Sequence, residues 1–166
     1  MYNYKISKYK IENRKEIINE WTSISDIGKE YNGKEFKYED YIKTENAYIE
    51  IIFMFIKLNN IKKITIDELE KYNDDKLIYD EYDFQIQKLI RKLKNKMELE
   101  ICDIELYIRA ILREQIWAKL YSSDELYIHF GYDYYMYIGS KVEPKKEIKE
   151  IEKSGLVIER QISPYL

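Results

Sequence analysis

The chain has 166 residues, of which 45% are hydrophobic and 36% are charged, and its formal net charge is −3. This length can bury one substantial core, so we expect a single domain that spans residues 1–166. The slightly acidic balance argues against a strongly basic nucleic-acid-binding protein.

The cysteine content and the apolar runs exclude further classes. Cys102 is the only cysteine, which rules out an intrachain disulfide and a thiolate metal cluster. The longest apolar run, residues 51–56, is much shorter than the roughly 20 residues that span a bilayer, and the start has no apolar signal core. We therefore expect a cytoplasmic protein without a membrane partner, a metal or another cofactor.

The N-terminal part of the chain predicts a strand followed by a loop. Polar and apolar residues alternate over residues 2–7, and this period of two is typical of a half-buried strand. The segment 20–36 contains Ser, Thr, Asp and glycine without a sustained period, which indicates an ordered loop. Its expected anchors are Trp21 and either Ile24 or Ile27.

Residues 38–58 carry the clearest helical pattern, because their apolar side chains recur at intervals of three and four. The β-branched stretch 61–66 predicts a strand. The acidic sequence "DELEKYNDD" that follows, residues 67–75, suits a short helix or a turn.

Residues 74–121 contain neither glycine nor proline and carry two apolar faces with helical spacing. The first face consists of Ile86, Leu89, Ile90, Leu93 and Met97. The second consists of Ile104, Ile108, Ile111, Leu112, Ile116 and Leu120, with Trp117 alongside. Two helices, or one long helix kinked near "MELEIC", fit this pattern equally well.

The C-terminal part predicts a hairpin, a helix and a strand. Apolar residues alternate on both sides of Gly131 to Asp133, which supplies the turn of a β-hairpin. Pro144 can begin a helix that Gly155 closes, and "LVIERQI" then returns as a strand. The expected fold class is α+β, with several helices packed on a mostly antiparallel sheet that includes a Tyr-rich β-hairpin.

The hairpin sequence "YIHFGYDYYMYIG" concentrates aromatic rings around the only histidine of the chain. One side of the hairpin would carry Tyr127, His129, Tyr135 and Tyr137, opposite the apolar side. This second face could be covered by a helix, or it could be exposed for recognition, because tyrosine offers a large rigid surface and a hydroxyl. A catalytic His129 beside Asp133 is a third alternative, but it lacks an evident orienting partner.

The second candidate region is an acidic segment with a local charge of −6 between Asp67 and Asp83. Its carboxylates are Asp67, Glu68, Glu70, Asp74, Asp75, Asp80, Glu81 and Asp83. Such a run can be a solvated face, or it can accelerate association with a basic protein by electrostatic steering. A calcium site is disfavoured, because no EF-hand-like loop occurs in the sequence.

The stretch "KLIRKLKNK", from Lys88 to Lys96, is the third candidate. On a helix its basic residues spread around the circumference, which suits a mixed solvated face better than a groove that follows phosphates. The sequence has no P-loop, no dinucleotide-binding glycine pattern and no G-x-S-x-G motif. Enzymatic chemistry therefore has no support from motifs.

Four stretches of the chain, "YKISKYK", "EWTSISDIGK", "LREQIWAKL" and "YIHFGYDYYMYIG", resemble small bacterial immunity proteins of contact-dependent inhibition and polymorphic toxin systems. These stretches cover about a quarter of the sequence. The resemblance implies a protein that neutralises a toxin domain from a neighbouring cell, commonly a nuclease, by covering its active site or an adjacent surface. It carries over no binding residue by position.

The residues favour a binding protein that is not an enzyme and has no direct contact with nucleic acid, and the resemblance implies a basic nuclease domain as its partner. The residues expected to contact that partner are Asp67, Glu68, Glu70, Asp74, Asp75, Asp80, Glu81, Asp83, Tyr127, His129, Tyr132, Tyr135 and Tyr137. Two alternatives remain open: a small enzyme or nucleotide-binding module that uses the hairpin, and a nucleic-acid-binding regulator that uses Lys88 to Lys96.

Overall fold

A computed structural model of the chain describes residues 1–8, 23–31, 33–72, 78–131 and 135–166. The helices within these ranges are α1 (Tyr38–Leu58), α2 (Glu81–Lys92), α3 (Ile104–Leu112) and α4 (Glu147–Lys153). The strands are β1 (Tyr2–Ser7), β2 (Glu30–Tyr31), β3 (Lys34–Glu35), β4 (Lys63–Lys71), β5 (Glu98–Glu100), β6 (Ile116–Ser122), β7 (Leu126–Phe130), β8 (Met136–Ser140) and β9 (Val157–Arg160).

Seven of these strands form one sheet in the order β5-β4-β6-β7-β8-β1-β9, and β2 pairs with β3 in a small separate ribbon. Every strand pairing in the large sheet is antiparallel. All four helices contribute buried side chains to the cluster that packs on one face of this sheet, which we call the inner face. The expected α+β class is therefore confirmed.

Helix α1 has the bounds that its apolar pattern predicts. Its buried stripe includes Tyr48, Ile52 and Phe55, and the helix packs this stripe into the main core. At the start of the helix, the Asp40 side chain accepts a hydrogen bond from the backbone N–H of Lys37, 3.3 Å away. None of the described helices combines the length and the apolar character that crossing a bilayer requires.

Strand β4 extends the predicted strand through Lys71, so the expectation of a helix or turn directly after Ile66 was wrong for residues 67–71. This acidic part of β4 pairs with β6, and the register shifts at a bulge between Asp67 and Glu70. Glu68, inside the bulge, has a φ of 50°. The backbone partners come from a distant part of the sequence, which local patterns do not reveal.

The region 81–122 contains two separate helices, and the short edge strand β5 between them has no counterpart among the predicted elements. The expected second helical face was wrong beyond Leu112, because residues 116–122 form β6, an interior strand of the sheet. Two residues that are four positions apart lie on the same face of a helix and also on the same face of a strand. Ile116, Ala118 and Leu120 accordingly share the buried side of β6.

The hairpin of β7 and β8 is confirmed, with Phe130 opposite Met136 and His129 opposite Tyr137. The backbone N–H of Gly131 closes it with a 2.7 Å bond to the carbonyl of Tyr135. The turn residues 132–134, including Tyr132, lie outside the described residues. The predicted C-terminal helix and strand are also present, and Gly155 ends α4 with a φ of 84°.

The loop before α1 is ordered around a second, smaller core. Ile24, Phe36 and Tyr41 form this cluster, with Tyr38 and Tyr79 packed against it. Ile24 is thus the buried anchor that the sequence suggested, whereas Trp21 lies outside the described residues. The small cluster joins the loop to the first turn of α1.

Gly139 leads to the first prediction, because Tyr127 lies across it on the neighbouring strand. A Cβ atom at position 139 would lie 2.0 Å from Cε1 of Tyr127. We expect Gly139→Ala to lower the free energy of unfolding by about 1–3 kcal/mol, as other overpacking substitutions do. Urea denaturation measures this change. Gly131→Ala is the control, since its nearest new contact is 3.2 Å from a tyrosine hydroxyl; equal losses would contradict the predicted clash.

Candidate functional site

The aromatic residues of the hairpin lie on the outer face of the sheet, opposite the helices. Strand alternation places Tyr127, His129 and Tyr137 there, together with Tyr121 of β6. Segment 161–166, which follows β9, contributes Ser163 and Tyr165 to the same cluster. We call the following residues the outer-face cluster: Tyr121, Tyr127, His129, Tyr137, Ser163 and Tyr165.

His129 is at the centre of the outer-face cluster and is 0% exposed. Its Nδ1 lies 2.8 Å from Ser163 Oγ, and its Nε2 lies 2.8 Å from the Tyr121 hydroxyl. The Tyr127 ring stacks on the imidazole with a centroid distance of 4.6 Å. Burial, assisted by the charge of Lys119 and opposed by Glu68, lowers the pKa of His129 to about 4. The imidazole is therefore neutral near pH 7, with both nitrogens bonded inside the fold.

The expectation that this face is an exposed recognition surface was wrong for three of its residues. Tyr127, His129 and Tyr137 are all buried. The cover includes the C-terminal segment, whose Tyr165 ring approaches the rings of His129 and Tyr137 edge-on. Tyr135 is half-buried, and the Lys5 ammonium lies 3.9 Å from the centroid of its ring.

Two carboxylates of the acidic segment are paired along the sheet. Asp67 forms an ion pair with Lys96, and Glu68 forms one with Lys119 at 2.7 Å. The hydrogen bond from Lys96 lowers the pKa of Asp67, although partial burial opposes it. Both lysines come from later parts of the chain, so the sequence did not show that these charges are balanced.

Asp80 and Asp83 bind a buried guanidinium, that of Arg113 just after α3. Arg113 Nη1 lies 2.8 Å from Asp80 and 3.0 Å from Asp83, and Arg113 Nε lies 2.8 Å from Glu45 on α1. Asp80 also caps α2 by accepting a 2.9 Å bond from the N–H of Tyr82. The expected role of these two aspartates as surface contacts was therefore wrong for Asp83, which is fully buried, and Asp80 is half-buried in the same network.

The network extends to a second arginine. Arg109 bonds Glu45 and lies 2.7 Å from Glu105, and its guanidinium stacks 4.1 Å from the centroid of the Tyr82 ring. We call Glu45, Asp80, Asp83, Arg109 and Arg113 the buried ion network. Its charges join α1, α2 and α3. The sequence contains a signal for this network: Arg109 lies inside the apolar run 104–112, and Arg113 follows it directly.

Asp80 shows why the buried ion network is charged at neutral pH. Burial opposes its ionisation, but hydrogen bonds from Arg113 and Tyr38 outweigh burial and lower its pKa to about 2. The pKa of an aspartate in an unfolded chain is about 3.9. The ionised Asp80 therefore contributes its full stabilisation when the pH is above the pKa of the unfolded carboxyl. This stabilisation is lost as the pH falls towards about 2.

Glu70 and Glu81 are the described carboxylates of the acidic segment that remain exposed without an ion pair to another described residue. Glu70 accepts a 3.1 Å hydrogen bond from the Tyr72 hydroxyl. Asp74 and Asp75 lie outside the described residues. The local charge that the sequence suggests is thus reduced in the fold by lysines and an arginine from other segments.

The basic stretch occupies the second half of α2 and the turn after it. Arg91 and Lys92 are exposed on the last turn of α2, whereas Lys96 is paired with Asp67. Within the described ranges, no group of three His, Cys, Asp or Glu side chains is arranged to hold a metal ion. Comparisons with protein-family models, curated proteins and solved structures find no match to this chain.

Arg113 gives the second prediction. Arg113→Ala leaves the buried Asp83 without its ion-pair partner and leaves Glu45 with Arg109 alone, and we expect it to cost about 3–5 kcal/mol of unfolding free energy. Arg160→Ala is the control, because the Arg160 ion pair with Glu143 is exposed and such pairs contribute less than about 1 kcal/mol. Urea denaturation of both variants measures the difference. Similar losses would show that the buried ion network does not hold the helices together.

The third prediction concerns the pH dependence of stability. The pKa of the imidazole is about 6.5 in the unfolded chain and about 4 in folded His129. Between these two pH values the unfolded state binds the proton and the folded state does not. The free energy of unfolding should therefore fall by up to about 3 kcal/mol as the pH drops through this window. His129→Gln removes the only imidazole and should flatten this part of the curve. An unchanged slope in denaturation measured from pH 7 to pH 4 would refute the assignment.

Proposed function

We propose that this chain is a bacterial immunity protein, which binds a cognate toxin domain in the cytoplasm and neutralises it by covering its active site or an adjacent surface. The toxin domain is a basic nuclease. The observation that carries the proposal is that the only histidine of the chain and the two buried arginines are bonded to other side chains within the fold. His129 is bonded at both nitrogens, and the guanidinium groups of the buried ion network are bonded to carboxylates.

This internal bonding favours a binding role over catalysis. A general base has to reach the proton that it removes, and His129 is fully buried beneath Tyr165 and Ser163. Another molecule would therefore bind at the surface of the fold. The chain has a formal net charge of −3, which suits a partner that is positive because it binds nucleic acid.

The fourth prediction tests the function in cells and in solution. The toxin should be encoded as the C-terminal domain of the reading frame immediately upstream. We expect that domain alone to arrest growth, and co-expression of this chain to restore it. The purified proteins should form a stable complex in which the nuclease activity is lost.

Two controls separate binding from catalysis. His129→Gln, tested at pH 7 where its imidazole is neutral in the wild type, should still protect cells as long as the variant is folded. A nuclease toxin from an unrelated pair should not be neutralised, because specificity requires a matched surface. Failure to bind or protect against the neighbouring toxin would refute the proposal, and so would turnover of a substrate by the purified chain alone.

A further inference from the structure

Five basic residues lie close together in the second half of α2 and just after it. They are Lys88, Arg91, Lys92, Lys94 and Lys96. Residues 84–97 contain no acidic residue. Lys96 forms an ion pair with Asp67, whereas the other four basic residues are exposed and form no ion pair with another described residue. Lys71 adds a further ammonium here, since its Nζ donates a 2.8 Å bond to the carbonyl of Leu93.

The sheet separates the cations of α2 from the acidic side chains of β4 and β5. Asp67 and Glu70 of β4 are opposite Lys119 and Trp117 of β6. These two β6 residues alternate with side chains that face the core, so both carboxylates lie on the outer face of the sheet. The carboxylates of β5 flank the buried Leu99 and face outward in the same way. Helix α2 packs on the inner face, so these acids are on the opposite side of the sheet from its basic residues.

An exposed aromatic ring lies on the same side of α2 as its cations. The three cations of the helix follow Phe84 after four, seven and eight residues. At 3.6 residues per turn these side chains share an arc of about 100°, opposite the buried Ile86. Phe84 is 53% exposed, and Tyr79, which precedes the helix cap and could pack against it, is instead stacked on Tyr38. We call the following residues the basic stripe: Phe84, Lys88, Arg91, Lys92 and Lys94.

The acids of α2 and of the neighbouring α3 do not balance the basic stripe. Asp83 and Glu105 are bound to arginines of the buried ion network. That leaves Glu81, which lies about 10 Å along the helix axis before Lys88, and Asp103, which precedes α3. Four cations thus stand against two carboxylates, so this surface carries a net positive charge.

We propose that the basic stripe binds the phosphate backbone of single-stranded nucleic acid, with an unpaired base stacked on Phe84. Exposed lysine and arginine side chains bind phosphates and release their counterions, and an exposed aromatic ring stacks on a base of any sequence. A duplex hides the flat faces of its bases, so the ring favours a single strand. The inference goes beyond the proposed function and does not depend on it. It replaces the expectation, based on the overall charge of −3, that the chain makes no contact with nucleic acid.

Other occupants fit the basic stripe less well. A helix that binds a membrane inserts its apolar face, but the apolar face of α2 is in the core, and along this helix only Phe84 is an exposed large apolar side chain. A two-fold contact between copies of this chain would bring like charges together. An acidic peptide would satisfy the cations but offers no flat ring system to Phe84.

The fifth prediction concerns binding of a single strand by the purified chain. The probe is a fluorescein-labelled DNA strand of about 12 thymidines, a length within the range that one small binding domain covers. Fluorescence anisotropy measures its dissociation constant at about 50 and 200 mM KCl. Three to four phosphate contacts, each contributing about −0.7 to the slope of log K against log salt, should weaken wild-type binding about 20- to 50-fold between these concentrations.

A matched pair of triple variants tests the cations. The variant Lys88→Gln, Arg91→Gln, Lys92→Gln should weaken binding at low salt about tenfold or more and reduce the salt slope by about 2. The control Lys145→Gln, Lys146→Gln, Lys149→Gln removes the same charge from exposed positions at and before α4, where acidic residues are interspersed. It should bind like the wild type.

A second pair of variants tests the ring. Phe84→Ala should weaken binding about fivefold or more, because it removes the stacked ring, and it should leave the salt slope unchanged, because it removes no charge. Phe84→Tyr keeps a flat ring at the same position and should bind like the wild type. Thermal midpoints of all variants confirm that each one is folded.

Three results would overturn the inference. The first is no binding of the thymidine strand by the wild type at low salt. The second is an equal loss in both triple variants, which would show a response to net charge and not to the basic stripe. The third is binding to vesicles that contain phosphatidylserine, or to polyglutamate, in place of the thymidine strand. None of these experiments contains the toxin domain, so their outcome leaves the proposed function to its own test.

Discussion

The buried guanidinium of Arg113 is the constraint on which the arrangement of the helices depends. An arginine keeps its charge in proteins, so burying it is tolerable only where carboxylates replace its hydration. Burial lowers the pKa of Arg113, but hydrogen bonds and charge from Asp80, Glu45 and Asp83 outweigh burial and raise it. Those carboxylates come from α1 and α2, while Arg113 follows α3. The positions of all three helices therefore have to agree for the charge to be satisfied.

This requirement changes how the acidic segment should be interpreted. Its sequence suggests one continuous negative surface, yet Asp80 and Asp83 are committed to Arg113 and Asp67 to Lys96. Charge that is paired inside or alongside the fold produces little field at a distance. Within this segment, Glu70 and Glu81 are the described carboxylates that remain exposed without an ion pair to another described residue.

The parts of the fold that were predicted correctly are those specified by local periodicity. Helix α1 has a long apolar stripe, and the hairpin strands alternate on both sides of a glycine-containing turn. Strand β6 was mistaken for a helix because the spacing between Ile116 and Leu120 fits both periods. Strand β5 has only three residues, too few for any period to be visible.

The candidate site was harder to predict, because its outcome depends on contacts between distant parts of the chain. The sequence identified the aromatic face around His129, but Ser163 and Tyr165, which help to bury it, are more than thirty residues away. The partners of Asp67, Glu68 and Asp80 are similarly remote. Periodicity specifies which residues share a face, whereas burial and ion pairing are decided by what packs against that face.

The buried ion network also holds the first turn of α2 in place. Asp80 caps that turn and binds Arg113, and the preceding Tyr79 is stacked on Tyr38, whose hydroxyl also bonds Asp80. These contacts fix the backbone from which Ile78, Glu81 and Phe84 project. Binding a partner costs entropy wherever contact residues must be ordered, and a helix start that is already held on its inner side avoids part of that cost. The charges buried inside the fold thus hold the start of α2 in one position from its inner side.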